Sequence, residues 1–195
     1  RLNENIFLGL DNLKKLDISR NHINFIDSDA FIGLSSLESL NLRRNKIGNL
    51  QPKIFEKLIS LKILDLSHNA IQALFPLMMK GMHSAETLLL NNNPIVMISK
   101  NTFSSLKKLK DLHLEKCELN FFEADIFNGL TNLKRLYLQN NNINTLPNGI
   151  FRPLKSLVKL QLEYNRLPLL NACAFDKLIW KGAIYIIGNP IRCDC

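Results

Sequence analysis

The stretch LKKLDISRNHI, residues 13–23, returns as LESLNLRRNKI at residues 37–47 and as LKILDLSHNAI at residues 61–71. The interval is 24 residues each time, without an insertion. Four more copies follow at the same interval, and a degenerate copy, KGAIYIIGNPI, begins at Lys181. Self-similarity at a fixed period of this length is the signature of a repeat architecture whose units stack along one axis. The sequence therefore predicts a solenoid.

Leucines spaced two residues apart form the centre of each copy, as at Leu40 and Leu42 with the polar Asn41 between them. Residues two apart in a β-strand point to the same face, so these leucines share one buried face. One short strand cannot bury that face alone, and neighbouring copies must stack to share a core. We expect one strand from each repeat.

An asparagine follows the strand in most copies. The row consists of Asn21, Asn45, Asn69, Asn93, Asn141, Asn165 and Asn189. An amide in this place can satisfy backbone groups left unpaired as the chain turns, so we expect the row to run inside the solenoid. Cys117 takes the same place in the fifth copy, and we interpret it as a buried structural residue.

The second half of each copy carries a row of large apolar residues. The row consists of Phe7, Phe31, Phe55, Met79, Phe103, Phe127, Phe151 and Phe175, each followed three residues later by Leu or Met, from Leu10 to Leu178. An aromatic row could stack a cofactor or a nucleic-acid base. Because this one follows the core period, we interpret it as packing on the convex side.

The pattern L-x-x-L-x-L-x-x-N-x-L resembles the leucine-rich repeat family across the whole chain. The resemblance implies an α/β repeat solenoid, a horseshoe with a parallel β-sheet on the concave face and short helical or irregular segments on the convex face. We expect residues 1–12 to be the end of a truncated repeat and residues 13–180 to form seven 24-residue repeats. Residues 181–195 would be a degenerate eighth repeat running into the start of a C-terminal cysteine cap.

The stretch NPIRCDC, residues 189–195, places Cys193 and Cys195 one residue apart. Alone, this spacing fits a metal clip, a redox pair or half of two disulfides. It resembles the N-P-x-x-C-D-C opening of the cap of extracellular leucine-rich repeat proteins, where both cysteines pair with two more downstream. The resemblance implies a secreted protein or cell-surface ectodomain, because disulfide caps belong to oxidising compartments. Cys173 is either free or paired with Cys193 or Cys195.

The sequence predicts no catalysis. Asp65 and His113 lie two repeats apart, about 10 Å at the strand spacing of a sheet, too far for a base and its orienting acid. The four histidines show no metal-ligand spacing, and no cofactor or small-molecule substrate is expected. The chain has no run of 18 apolar residues, so any membrane attachment would come through segments outside this sequence.

Binding is therefore expected on the concave face. All three tyrosines, Tyr137, Tyr164 and Tyr185, fall at solvent-facing positions of the repeat. The other candidate ligand-binding residues are Leu89, His113, Gln139 and Glu163, with Arg20, Arg43 and Arg44 in a basic N-terminal part. Aromatic residues beside charged ones are favoured at binding hot spots, whereas strand propensity alone also accommodates tyrosine.

Two functions follow. The first is recognition of a protein ligand or co-receptor, as implied by the resemblance to Toll-like receptors, Slit-type guidance ligands, variable lymphocyte receptors and adhesion proteins. The second is binding of a polyanion, nucleic acid or sulfated glycan, through the basic patch; the net charge is +8. The patch is small and interrupted by Asp17 and Glu38, which favours the protein ligand.

Overall fold

The computed structural model describes residues 1–176 and 182–192 of the chain. Its strands are β1 (Lys15–Asp17), β2 (Ser39–Asn41), β3 (Ile63–Asp65), β4 (Ala73–Leu74), β5 (Thr87–Leu89), β6 (Met97–Ile98), β7 (Asp111–His113), β8 (Arg135–Tyr137), β9 (Lys159–Gln161) and β10 (Ala183–Tyr185). Two 3₁₀ helices, η1 (Pro76–Met79) and η2 (Ala172–Phe175), complete the regular structure of the described residues. Neither is long enough to cross a bilayer.

Eight of the strands form one parallel sheet, in the order β1-β2-β3-β5-β7-β8-β9-β10. Each residue pairs with its equivalent in the next repeat, so that Leu40 lies beside Leu64 and Leu64 beside Leu88. These leucines are fully buried, and the residues on either side of each one face outward or are half-buried. The predicted parallel sheet of a leucine-rich repeat solenoid is confirmed.

The opposite side of the solenoid is built mainly from turns. The two short 3₁₀ helices, η1 and η2, lie on this side, in two different repeats. The phenylalanine row stacks there, with 6.1 Å between the ring centroids of Phe31 and Phe55 and again between those of Phe127 and Phe151. Met79 fills its place in the row and is fully buried. The packing interpretation is confirmed for the phenylalanine row, but not for Leu10, which is 46% exposed, and Leu178 lies outside the described residues.

A second, two-stranded sheet pairs β4 with β6 on the flank between the two sides. An isolated parallel bridge between Leu2 and Ile26 occupies the equivalent place at the N-terminal end. The repeat pattern did not predict this sheet, because its pairing depends on how closely neighbouring repeats approach on that flank.

The asparagine row forms the predicted internal ladder from Asn45 onward, whereas the prediction is wrong for Asn21, which is exposed and donates only within its own repeat, to the carbonyls of Ile18 and Ser19 at 3.0 Å. Asn93 donates from Nδ2 to the carbonyls of Leu66 at 2.9 Å and Leu90 at 2.8 Å, and its Oδ1 accepts from the backbone N–H of Ile71 at 3.0 Å. It thus joins two repeats while satisfying three backbone groups. Asn45, Asn69, Asn141, Asn165 and Asn189 repeat these bonds.

Cys117 is buried in the ladder, as predicted, with its thiol 3.7 Å from the carbonyl of Leu90. Burial raises the pKa of this thiol to about 12. The backbone N–H of Ile95 donates to the carbonyl of Asn93 at 2.8 Å.

Candidate functional site

Two of the predicted ligand-binding residues stack on each other on the concave sheet. His113 on β7 pairs with Tyr137 on β8, and their rings lie 4.1 Å apart between centroids at an angle of 16°. Strand register produces this stack, since equivalent residues of adjacent parallel strands lie side by side. Leu89 on β5 is the next neighbour of His113, so Leu89, His113 and Tyr137 form one continuous strip.

Lys159 on β9 connects two of the tyrosines. Tyr185 is separated from Tyr137 by Gln161, and the Lys159 Nζ lies 5.2 Å from the ring centroid of Tyr137 and 5.6 Å from that of Tyr185. An ammonium over two aromatic faces is a cation–π arrangement. Lys159 was not among the candidate binding residues predicted from the sequence. Its place in the repeat could have indicated it, because Lys159 is the equivalent of Arg135 on the neighbouring strand and lies on the same face.

Tyr164 lies apart from this group, in the turn after β9, and its side chain serves two roles. The residue is 59% exposed. Its ring also lies against Gly188, where an added Cβ would fall 2.5 Å from Cδ1 of the tyrosine. Tyr164 therefore helps to pack the last described repeat as well as presenting its ring to solvent.

Gln139 and Glu163 lie beyond the ends of β8 and β9, in the same row as Asn91 and Glu115. Gln161 donates from Nε2 to Oε1 of Glu163 at 3.1 Å, and His113 Nδ1 lies 3.2 Å from Oε1 of Glu115. Each carboxylate is therefore held by the residue two positions before it.

The basic residues occupy the other end of the face, with three strands between β2, which precedes Arg43 and Arg44, and β8, which carries Tyr137, and four between β1, which precedes Arg20, and β8. Arg43 is engaged internally, since its Nη1 donates to Ser67 Oγ at 3.2 Å and its Nη2 lies 3.0 Å from His68 Nε2. A guanidinium only donates, so His68 accepts and is neutral. Burial, together with Arg43 and Arg44, lowers the pKa of His68. Arg20 and Arg44 are exposed in successive turns.

The residues considered for catalysis do not converge. Asp65 accepts from the backbone N–H of Ser67 at 2.8 Å, while His113 contacts Glu115 and stacks on Tyr137. Strand β5 stands between β3, which carries Asp65, and β7, which carries His113. Within the described ranges, no group of three or more His, Cys, Asp or Glu side chains is placed to hold a metal ion.

The predicted cap cysteines, Cys193 and Cys195, lie outside the described residues. Asn189, which precedes them, accepts from the backbone N–H of Leu167 at 3.1 Å and so continues the internal ladder into the predicted degenerate repeat. Cys173 was predicted to be either free or paired with Cys193 or Cys195; in the structure it is free and exposed.

Comparisons with known proteins agree with this architecture. The leucine rich repeat family model matches residues 1–47, 35–95, 83–141 and 107–167. No curated protein matches the chain. Among solved structures, a similar chain belongs to the octameric complex of Latrophilin 3 (Lec, Olf), Unc5D (Ig, Ig2, TSP1) and FLRT2 (LRR), at 30% identity and a TM-score of 0.76. The match covers 95% of this chain and 64% of that one.

Proposed function

The chain belongs to the leucine-rich repeat family, and we propose that it is a non-catalytic recognition module whose concave face binds a protein ligand or co-receptor. The observation that carries the proposal is the group of His113, Tyr137, Lys159 and Tyr185 on four adjacent strands. Packed aromatic rings beside a cation supply contact area at a low cost in side-chain entropy, as binding hot spots require.

The solved complex supports a protein as the ligand, since its components, FLRT2 among them, are proteins assembled with one another. Matches to 431 solved chains mean that likeness of fold alone does not select a function. We further propose a secreted or cell-surface location, supported by the resemblance of residues 189–195 to the opening of an extracellular cysteine cap.

Affinity capture from cell-surface and extracellular extracts tests the proposal. The variant Tyr137→Ala, Tyr185→Ala removes the two rings that Lys159 connects, and Phe121→Ala, an exposed aromatic residue on the flank, is the control. We expect a protein that is captured by the wild type and the control at high salt and is lost in the double variant. If the double variant captures the same protein as the wild type, Tyr137 and Tyr185 do not contribute to ligand binding and the proposal is wrong.

The polyanion alternative predicts a different result in the same experiment. Nucleic acid or glycan released by salt and lost in Arg20→Glu, Arg44→Glu would move the function to the basic patch. These two arginines are chosen because Arg43 holds Ser67 and His68, so its replacement would disturb the fold as well as the charge.

A further inference from the structure

The flank of the third and fourth repeats exposes a group of apolar side chains. Phe75, Leu77, Val96 and Met97 are between 38% and 53% exposed, and Ala73 beside them is half-buried; we call these five residues the flank patch. No charged residue occurs in residues 70–77 or 94–99. Single exposed apolar residues are common, but a contiguous group without charge marks an interaction surface.

The second, two-stranded sheet makes the patch continuous. Ala73 on β4 pairs with Met97 on β6. The residues that follow them, Leu74 and Ile98, are buried. Because successive strand residues point to opposite faces, Ala73 and Met97 face outward, and Phe75 follows on the same side. Backbone pairing between two repeats therefore holds these side chains on one surface.

Charged residues of opposite sign border the patch on its two sides. The equivalent flank segments carry Lys46 and Lys53 in the second repeat, and Glu118, Glu123 and Asp125 in the fifth. All five residues are exposed, and none makes an ion pair in the described part of the chain. These charges are therefore available to an incoming surface.

A two-fold axis that stands on this flank between β4 and β6 would bring unlike charges together. The rotation places the third repeat of one copy against the fourth of the other, and the second against the fifth, and it reverses the direction of each segment. Lys46, at the start of its segment, then faces Asp125 at the end of the opposite one, and Lys53 faces Glu118. A two-fold contact requires one self-complementary surface, and this flank provides it.

We propose that the flank patch binds a second copy of this chain in a symmetric dimer. The apolar side chains lose contact with water at the centre, while the charges at the rim fix the orientation of the two copies. A partner of uniform charge would instead be attracted on one side of the patch and repelled on the other. The patch contains none of the residues proposed to bind a ligand, so the inference goes beyond the proposed function and does not depend on it.

Sedimentation velocity over a series of protein concentrations measures the dimer. A reductant is present so that the exposed Cys173 cannot link two copies. The variant Phe75→Ser, Met97→Ser removes the centre of the patch, and Ile59→Ser, Val158→Ser, at exposed apolar residues outside it, is the matched control. We expect the control to dimerise like the wild type, and the dissociation constant of the patch variant to rise at least about tenfold.

Charge exchange tests the symmetry of the contact. Lys46 and Glu118 occupy the same place in the repeat, as do Lys53 and Asp125, whose φ angles are 63° and 66°. The two variants, Lys46→Glu, Lys53→Asp and Glu118→Lys, Asp125→Lys, therefore introduce residues that the fold already accommodates there. Each alone should weaken dimerisation at least about tenfold, because like charges face each other. An equal mixture should dimerise again, since each variant supplies the charge that the other lacks.

Restored association in the mixture also shows that both charge variants are folded, and circular dichroism verifies the serine variants. Lys107→Glu, Lys155→Glu, at exposed lysines outside the flank segments, is the control for net charge and should dimerise like the wild type. The proposal is wrong if the wild type stays monomeric up to about 1 mM, in which case the patch serves another partner or none. It is equally wrong if the serine variant dimerises normally, if the net-charge control loses as much affinity as the charge variants, or if the mixture fails to associate.

Discussion

At the scale of single residues, the turn after each concave strand imposes one backbone conformation on very different side chains. Seven residues there have φ between 53° and 57°, followed by Gly188 at 76°. They are Arg20, Arg44, His68, Asn92, Lys116, Asn140 and Tyr164. The left-handed region is unfavourable for a residue with a Cβ, so the stacking of the repeats must overcome local preference at each of these turns.

Residues whose identity repeats with the period were predictable, and residues whose role depends on a particular neighbour were not. The asparagine ladder and the burial of Cys117 follow from recurrence of one place in the repeat, and the structure confirms the ladder from Asn45 onward and the burial of Cys117. The position of Lys159 over two rings and the contact of Arg43 with His68 depend on which side chains stand in adjacent repeats. Predicting such roles requires comparing the side chains at equivalent places in neighbouring repeats, in addition to reading the pattern within one repeat.

His68 should make stability depend on pH in the mildly acidic range. Its pKa in the folded protein is lowered by burial and by Arg43 and Arg44, so the unfolded chain takes up this proton first as the pH falls. Stability should therefore decrease below about pH 6.5, the pKa of an ordinary histidine, and level off below the folded pKa. Urea midpoints measured between about pH 7 and 5 report this slope.

The variant His68→Asn removes the titrating group and keeps a residue that tolerates a positive φ. Its stability should be flatter over the same pH range than that of the wild type. His22→Asn, at an exposed histidine, is the control and should retain the wild-type slope. An unchanged slope in His68→Asn would show that another group causes the dependence.

At the scale of elements, the convex turns are fixed by contacts between successive repeats, and glycine is required where the backbones touch. Gly129 has φ of 87°, and a Cβ there would lie 2.6 Å from the carbonyl oxygen of Ser104 in the preceding repeat. Gly9 has the same φ of 87°, but a Cβ there would meet nothing within 4 Å. Substitutions at Gly9 and Gly129 therefore distinguish the energetic cost of backbone strain from the cost of crowding between repeats.

We expect Gly9→Ala to lower the free energy of unfolding by about 1 kcal/mol, the cost of a left-handed residue with a Cβ. Gly129→Ala should cost about 2 kcal/mol more, because Ser104 or the turn itself must move. Urea denaturation of the two variants gives the difference. Equal losses would mean that the turn shifts freely and that crowding between repeats does not set its position.

At the scale of the whole molecule, cohesion comes from contacts between neighbouring repeats, since each repeat touches only the ones beside it. Ion pairs follow the same rule: Lys62 contacts Glu38 at 2.8 Å and Lys110 contacts Glu86 at 2.6 Å, each pair joining adjacent repeats. These side chains are between 38% and 51% exposed, so they contribute little to stability. The leucine stack carries most of it.

The leucine at the centre of a strand should therefore contribute more to stability when its strand has a neighbouring strand on both sides. Leu112 on β7 is fully buried between β5 and β8, whereas Leu16 on β1, the first strand in the sheet, is half-buried. Leu112→Ala should cost about 3 to 4 kcal/mol, and Leu16→Ala about 1 to 2 kcal/mol, in the free energy of unfolding. Urea unfolding followed by circular dichroism measures both, and equal losses would contradict a stability built from neighbour contacts, because those contacts differ between the two sites.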